Sequence, residues 1–252
     1  MTDMQSAPIV GSSFAAPTPD VVGVVIPHFD TESEEALALR YGRLKKKHED
    51  IVFEFTRDPA LLHQYFELCQ TECRMVQQFI PAEEEYNRIG NIMVVRKGNF
   101  CLGGARLSSR TPRKTKSLPM EIEGFSLNKQ FLDLESKQLN YGELSRLVLL
   151  PEFRTGDITR QMFFHLYRKS VALGLSFVFA AAPKLNVRTY RQHFLAIGLK
   201  ETKIYYDIVI PPYPGFQEVK DYLFSVTIDE SFIPVMQNTI PAEAAIKCVE
   251  EA

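Results

Sequence analysis

GELSRLVLLPEFRTGDITRQMFFHLYRKSVALG, residues 142–174, is the stretch from which the fold can be read. Glu143 and Arg146 head a continuous apolar run, Leu147 to Leu150, which Pro151 stops. A short uninterrupted run of this kind reads as a buried strand. A polar turn carrying Arg154, Gly156, Asp157 and Thr159 follows. Ile158, Met162, Phe163, Leu166 and Ser170 then recur on one stripe, which predicts a helix over 158–173 closed by Gly174. A strand that feeds a helix N-terminus through such a turn offers free backbone N–H groups to an anion, usually a phosphate.

Working outward, the chain alternates strands and helices. Residues 51–55 alternate apolar and acidic, as a half-buried strand does. Pro59 opens a predicted helix reaching to about residue 79, with Leu62, Tyr65, Phe66, Cys69, Cys73 and Val76 at helical spacing. Residues 91–96 and 100–107 read as strands joined at Lys97-Gly98-Asn99, a hairpin connection. Residues 108–116 read as an exposed basic loop and 127–137 as a short helix. Residues 176–181 form a short apolar strand, 185–197 a helix closed by Gly198, and 201–210 a final strand. Upstream, Thr31 caps a predicted helix to Glu49 whose acids come early and bases late, as the helix dipole prefers. The alternation predicts an α/β sandwich around a mixed sheet.

Glu-Leu-Ser-Arg-Leu at 143–147 followed by Pro-x-Phe-Arg at 151–154 resembles the central block of acyl-homoserine-lactone (autoinducer) synthases and the related N-acyl amino acid synthases. The resemblance runs from about residue 51 to 210. It implies the GNAT acyltransferase fold: a three-layer sandwich with a mixed, mainly antiparallel central sheet flanked by helices. The domain is then expected over 31–210, after a flexible lead-in over 1–30, with 211–252 as an extension packing on it. The implied chemistry is transfer of a medium- or long-chain acyl group to the amine of an amino acid or similar small acceptor.

The same resemblance implies site residues. Arg106, in Gly103-Gly-Ala-Arg-Leu, matches the family's strand arginine, and Glu143 and Arg146 match its glutamate and arginine. Such a glutamate is the expected base, since an amine must lose a proton before attacking a thioester. Its bland alternative is a buried ion pair with Arg146 or Arg106. Backbone N–H groups at Leu147, Val148 and Leu149 are the expected oxyanion donors. Tyr190 is expected to protonate the leaving thiolate, or else simply to pack. Glu84-Glu85-Tyr86-Asn87 stands where the family has an acidic Tyr-Asp motif, with Asn87 in place of the aspartate.

The donor is expected at Arg154, Gly156, Thr159 and Arg160, with no tightly bound cofactor. Members that use acetyl-CoA carry small residues where this chain has Asp157 and Thr159, and a carboxylate there repels a diphosphate. Acyl carrier protein, with its single pantetheine phosphate, is therefore favoured over acyl-CoA. Arg106, Arg110, Arg113, Lys114 and Lys116 lie within an acid-free stretch, 106–116, that would steer an acidic carrier; a solvated basic loop is the equal alternative. Phe100, Leu102, Phe163, Phe177 and Phe179 are candidates to line an acyl tunnel. The chain has no tryptophan, whereas the autoinducer synthases usually place one in their S-adenosylmethionine pocket. An autoinducer synthase is thus the second reading, and a non-catalytic acyl- or carrier-binding module the third.

Composition excludes other classes. A net charge of -2 gives no general affinity for nucleic acid, and aromatic residues do not interleave with the basic ones. No apolar run approaches the ~18 residues of a transmembrane helix, and the N-terminus lacks a basic secretory signal, so a cytoplasmic location is expected. Four cysteines do not make a disulfide framework. Cys69 and Cys73 near His63 lack a second ligand pair for zinc, so no metal is expected.

Overall fold

In a computed structural model, the chain is described at residues 50–72, 90–111, 115–122, 124–211 and 220–234. The predicted helix over 31–49, the lead-in before it, residues 73–79, Glu84–Asn87, Arg113, Lys114 and most of 211–252 lie outside these residues.

The described residues build one seven-stranded sheet. Its strands are β1 (Ile51–Phe55), β2 (Asn91–Lys97), β3 (Phe100–Arg110), β4 (Tyr141–Leu149), β5 (Phe177–Pro183), β6 (Thr202–Ile210) and β7 (Asp221–Thr227). Their order is β1-β2-β3-β4-β5-β7-β6. Every neighbouring pair is antiparallel except β4 and β5. The expected fold class is the one observed: a mixed, mainly antiparallel sheet between helices. β7 comes from beyond residue 210, in the stretch read as an extension, yet it is an interior strand between β5 and β6.

The helices are α1 (Pro59–Glu72), α2 (Leu127–Gln130), α3 (Leu132–Ser136), α4 (Gly156–Ala172) and α5 (Lys184–Ala196). Strand alternation sends successive side chains to opposite faces, and the helices divide accordingly. On one face, Tyr65 and Cys69 of α1 pack against Ile92, Val94 and Val148. Beside them, Leu127 of α2 and Leu134 of α3 cover Tyr141, Phe179 and Leu223. On the other face, His165 of α4 stacks on Phe53 of β1 at 5.2 Å. Phe163 of α4 meets Phe194 of α5, which stacks on Phe224 of β7. The predicted α4 stripe, Ile158, Met162, Phe163, Leu166 and Ser170, is buried throughout.

Several local expectations are corrected. The helix read over 127–137 is two short helices, because Phe131 leaves helical geometry between them. The stretch after residue 107 is not yet a loop: β3 continues to Arg110, and Ser108 is buried. Glu54 is not on a wet face of β1; it is buried and receives a hydrogen bond from Arg96 at 2.8 Å. The tunnel candidates scatter. Leu102, Phe163 and Phe179 are fully core, Phe100 is 37% exposed, and Phe177 packs under α2 and α3.

Candidate active site

β4 and β5 begin in parallel register, Tyr141↔Phe177, Gly142↔Val178 and Glu143↔Phe179, and then part. β4 continues to Leu149 and β5 to Pro183 without pairing. After Glu143, that edge of β4 therefore faces a gap rather than a strand. The gap holds a cavity of about 170 Å³ lined by Arg106, Glu143, Ser145, Arg146, Leu147, Tyr190 and Asp221, with Met120, Ile122, Ala181 and Ile210 among its apolar walls. Arg106, Glu143, Arg146, Leu147 and Tyr190, all singled out in the sequence, thus meet in one place.

The charged side chains are held from several elements. β3 and β4 pair as Ser108↔Glu143 and Arg106↔Ser145, so Arg106, Glu143 and Ser145 share a face. Arg106 is 1% exposed and donates through Nε to Ser145 Oγ at 3.2 Å. Glu143 is 4% exposed, and its Oε2 accepts from the Met120 backbone N–H at 2.7 Å, which pins the segment before α2 over the cavity. Tyr190 comes from α5 on the opposite face. It reaches the cavity where the strands diverge and packs on Phe163.

Between Gly104 and Arg106 the β3–β4 register slips, leaving Arg146 and Leu147 in a bulge. Arg146 stands there in the left-handed region, at φ 54°. Its carbonyl accepts from Tyr65 Oη at 2.7 Å and more distantly from Cys69 Sγ at 3.9 Å. α1 therefore props the strand residue that turns into the gap. Periodicity placed Tyr65 on the α1 stripe, but neither its bond to the Arg146 carbonyl nor the bulge follows from periodicity.

Residues expected to hold the donor stand elsewhere. Val148 and Leu149 are buried on β4 and pair with Gly104 and Gly103 of β3. Arg154, Gly156, Thr159 and Arg160 do not line the cavity; they surround the N-terminus of α4. The N-cap there is Thr155, whose side chain accepts from the Ile158 N–H at 3.4 Å. Arg154 donates through Nε to the Leu149 carbonyl at 2.8 Å, tying the turn back to β4. Asp157 forms an exposed ion pair with Arg160, so the carboxylate expected to repel a diphosphate has a cation beside it within its own turn.

The basic patch is also altered. Arg110 is bound to both oxygens of Glu121, at 3.1 and 3.0 Å, and lies over the Tyr141 ring. Its charge is spent inside the fold, and Lys116 is half-buried. Cys101 is 7% exposed, and burial pushes its thiol up to about 12, so it is no thiolate nucleophile.

Asp221, at the start of β7, was overlooked altogether. It lines the cavity, and burial raises its pKa above the usual carboxylate value. The available signal was the apolar, aromatic-rich run Tyr222-Leu-Phe-Ser-Val226, whose composition suits a buried strand.

A mixed sheet whose parallel pair diverges over a charged cavity, with a bulge in the strand before the gap, is the GNAT fold anticipated from the central block. Comparison with solved structures shows the same fold. FeeM, an N-acyl amino acid synthase from uncultured soil microbes, superposes with a TM-score of 0.54 at 8% identity over 78% of this chain and 98% of its own. BjaI, a CoA-dependent acyl-homoserine lactone synthase, does so in its complex with MTA at 0.52 and 13% identity, covering 80% of this chain and 95% of its own. Its complex with SAM and isopentyl-CoA gives 0.51 at 14% identity, with the same coverage. No protein-family model matches the chain, and no curated protein matches it by sequence.

Proposed function

We propose that this protein is an N-acyltransferase that moves a medium- or long-chain acyl group from a pantetheine thioester to a small primary amine. The observation carrying this reading is the meeting of Arg106, Glu143, Arg146 and Tyr190 in one cavity, at the point where β4 leaves β5. The resemblance singled out Arg106, Glu143 and Arg146 as site residues and Tyr190 as a candidate, and their common cavity supports that reading. FeeM and BjaI, which share the fold, are synthases of N-acyl amino acids and of acyl-homoserine lactones.

In this reading the thioester lies along the unpaired edge of β4, where the sheet has opened. Glu143 takes one proton from the acceptor's ammonium, directly or through water, and the amine nitrogen attacks the carbonyl carbon. Backbone N–H groups near Leu147 stabilise the oxyanion as it forms. The C–N bond forms, the C–S bond breaks, and the thiolate leaves with a proton from Tyr190, which regains one from the new amide nitrogen. Arg106 and Arg146 balance the Glu143 carboxylate and any carboxylate on the acceptor. Met120 and Ile210 bound the cavity on its apolar side and exclude water from the thioester.

The pantetheine phosphate belongs to the α4 N-terminus in this reading. Because Asp157 is paired with Arg160, that turn suits coenzyme A as well as a carrier protein. Isopentyl-CoA is bound in one BjaI structure. Acyl-CoA and acyl carrier protein thus stand as equal donor candidates.

The test is mass spectrometry of products from the purified protein, given short-, medium- and long-chain acyl thioesters on both carriers and the common amino acids. N-acylated amine is expected from the wild type. Glu143→Gln should lower the turnover number by on the order of a hundredfold, since the amide keeps an acceptor for the Met120 N–H but cannot take the proton. A lactone product that requires S-adenosylmethionine would replace this reading by autoinducer synthesis. Thioester binding without any acylated product would make the protein a binding module.

A further inference from the structure

Asp221 is the one carboxylate of the cavity for which the fold itself supplies no visible reason. Its Oδ1 is buried and meets no hydrogen-bond donor among the described residues. The residues beside it in register are Pro183 on β5 and Ile210 on β6. A proline has no N–H and isoleucine no polar side chain, so neither neighbour's side chain can answer the charge. Glu143, by contrast, is held by the Met120 N–H at 2.7 Å. The alternation of β7 sends Leu223, two residues on, into the cluster beneath α2 and α3, and Asp221 onto the same face, into the cavity.

Asp221 as a residue is half-buried, but leaving its Oδ1 buried without a donor is costly, and a ligand that completes it is one way such an atom is accounted for. Burial holds the Asp221 carboxyl above its usual range, which is the mark of desolvation without compensation. The cations that also line the cavity, Arg106 and Arg146, come from β3 and β4, across the gap from β7. A cation entering between them and Asp221 would meet the carboxylate first on the β7 side.

We propose that Asp221 is the acceptor-binding carboxylate, which receives the substrate's ammonium group and holds it beside the thioester edge of β4. The proposal rests on the acyltransferase reading for what happens next, but not for the binding itself. It sets a division of labour in which Asp221 selects and orients a primary ammonium while Glu143 removes its proton. It also sets a specificity: an alcohol of the same shape offers Asp221 a hydrogen bond but no positive charge, and binds far more weakly.

The experiment has a binding arm and a kinetic arm. Ethylammonium chloride, with ethanol as its uncharged counterpart, is titrated into the full chain without donor and followed by saturation-transfer NMR. Saturable binding of ethylammonium but not ethanol is expected, weakened about tenfold or more in Asp221→Asn. In the kinetic arm, Asp221→Asn should raise KM for the amine by a similar factor while changing the turnover number much less, and Asp221→Ser should do the same. The melting temperature should stay level or rise by a few degrees, because a half-buried charge with one unsatisfied oxygen has gone.

Ethylammonium binding that survives unchanged in both variants, or is absent from the wild type, overturns the proposal. So does a drop in melting temperature with an unchanged amine KM, which makes Asp221 a structural residue. If ethylammonium binds through Asp221 while no thioester is consumed, the amine site stands and the acyltransferase reading is what fails.

Discussion

Arg146 shows how a single residue can carry both strain and function. Its φ of 54° places a long β-substituted side chain in a region that costs non-glycine residues about 1–3 kcal/mol. The bulge against β3 forces that geometry, and the hydrogen bond from Tyr65 Oη holds it. Arg146→Ala and Arg146→Gly both remove the guanidinium, but only glycine is relaxed at this φ. Glycine is normally the poorer strand residue by about 0.5–1 kcal/mol. Here the order should invert, with the Gly variant about 1 kcal/mol more stable than the Ala variant in urea denaturation. The same order as in an ordinary strand would show that the bulge relaxes without the arginine. Amide product should fall in both, since the cavity loses the same charge. Identity at this position was legible through the Glu-x-Ser-Arg motif, whereas its conformation was not, because a bulge is a property of two paired strands.

Among the elements, the decisive event is the parting of β4 from β5, and the strand pair behind it must be tightly fitted. Gly104 of β3 lies where an added Cβ would come 2.2 Å from the Met93 carbonyl and 2.9 Å from the Tyr65 ring. No side-chain rotation relieves a backbone collision at that distance. Gly104→Ala should therefore cost about 3 kcal/mol, at the upper end for overpacking. It should also push Tyr65 off the Arg146 carbonyl, so that acyl transfer is damaged well away from the substrate. A circular-dichroism melt together with turnover tests both parts, and a full-strength enzyme with unchanged melting sinks them. Periodicity made α4, α5 and the β2–β3 hairpin readable in advance, because each hides one face against a continuous core. It could not show where β4 and β5 separate, since that depends on how two segments distant in sequence pair. It also stopped at Ile210, and so missed that Asp221–Thr227 completes the sheet between β5 and β6.

At the scale of the whole molecule, stability should depend on pH through the layer that joins β1 to α4. His165 is 7% exposed, stacks on Phe53 and meets Phe164 edge-on. Burial, and secondarily the Arg168 charge, lower its pKa from the ordinary 6.5 to about 4. The unfolded chain then binds more protons than the folded one between these values, so stability is full above about pH 6.5 and falls as pH drops toward 4. At about 1.4 kcal/mol per unit the loss reaches roughly 3 kcal/mol, a sizeable fraction of a typical domain's margin. His193, stacked on Phe163 and half-buried, is lowered by burial and then by Arg160, and acts in the same direction. Asp221 opposes them at the acid end. Its raised folded pKa makes the folded state the better proton binder just above 3.8, so that group recovers stability as pH falls through the same lower range. The large His165 shift sets the trend, and urea midpoints should decline from pH 7 to pH 4.5. His165→Phe keeps the stacked shape without the titration and should remove most of that slope. A slope unchanged by the substitution would place the pH sensitivity elsewhere than in the β1–α4 layer.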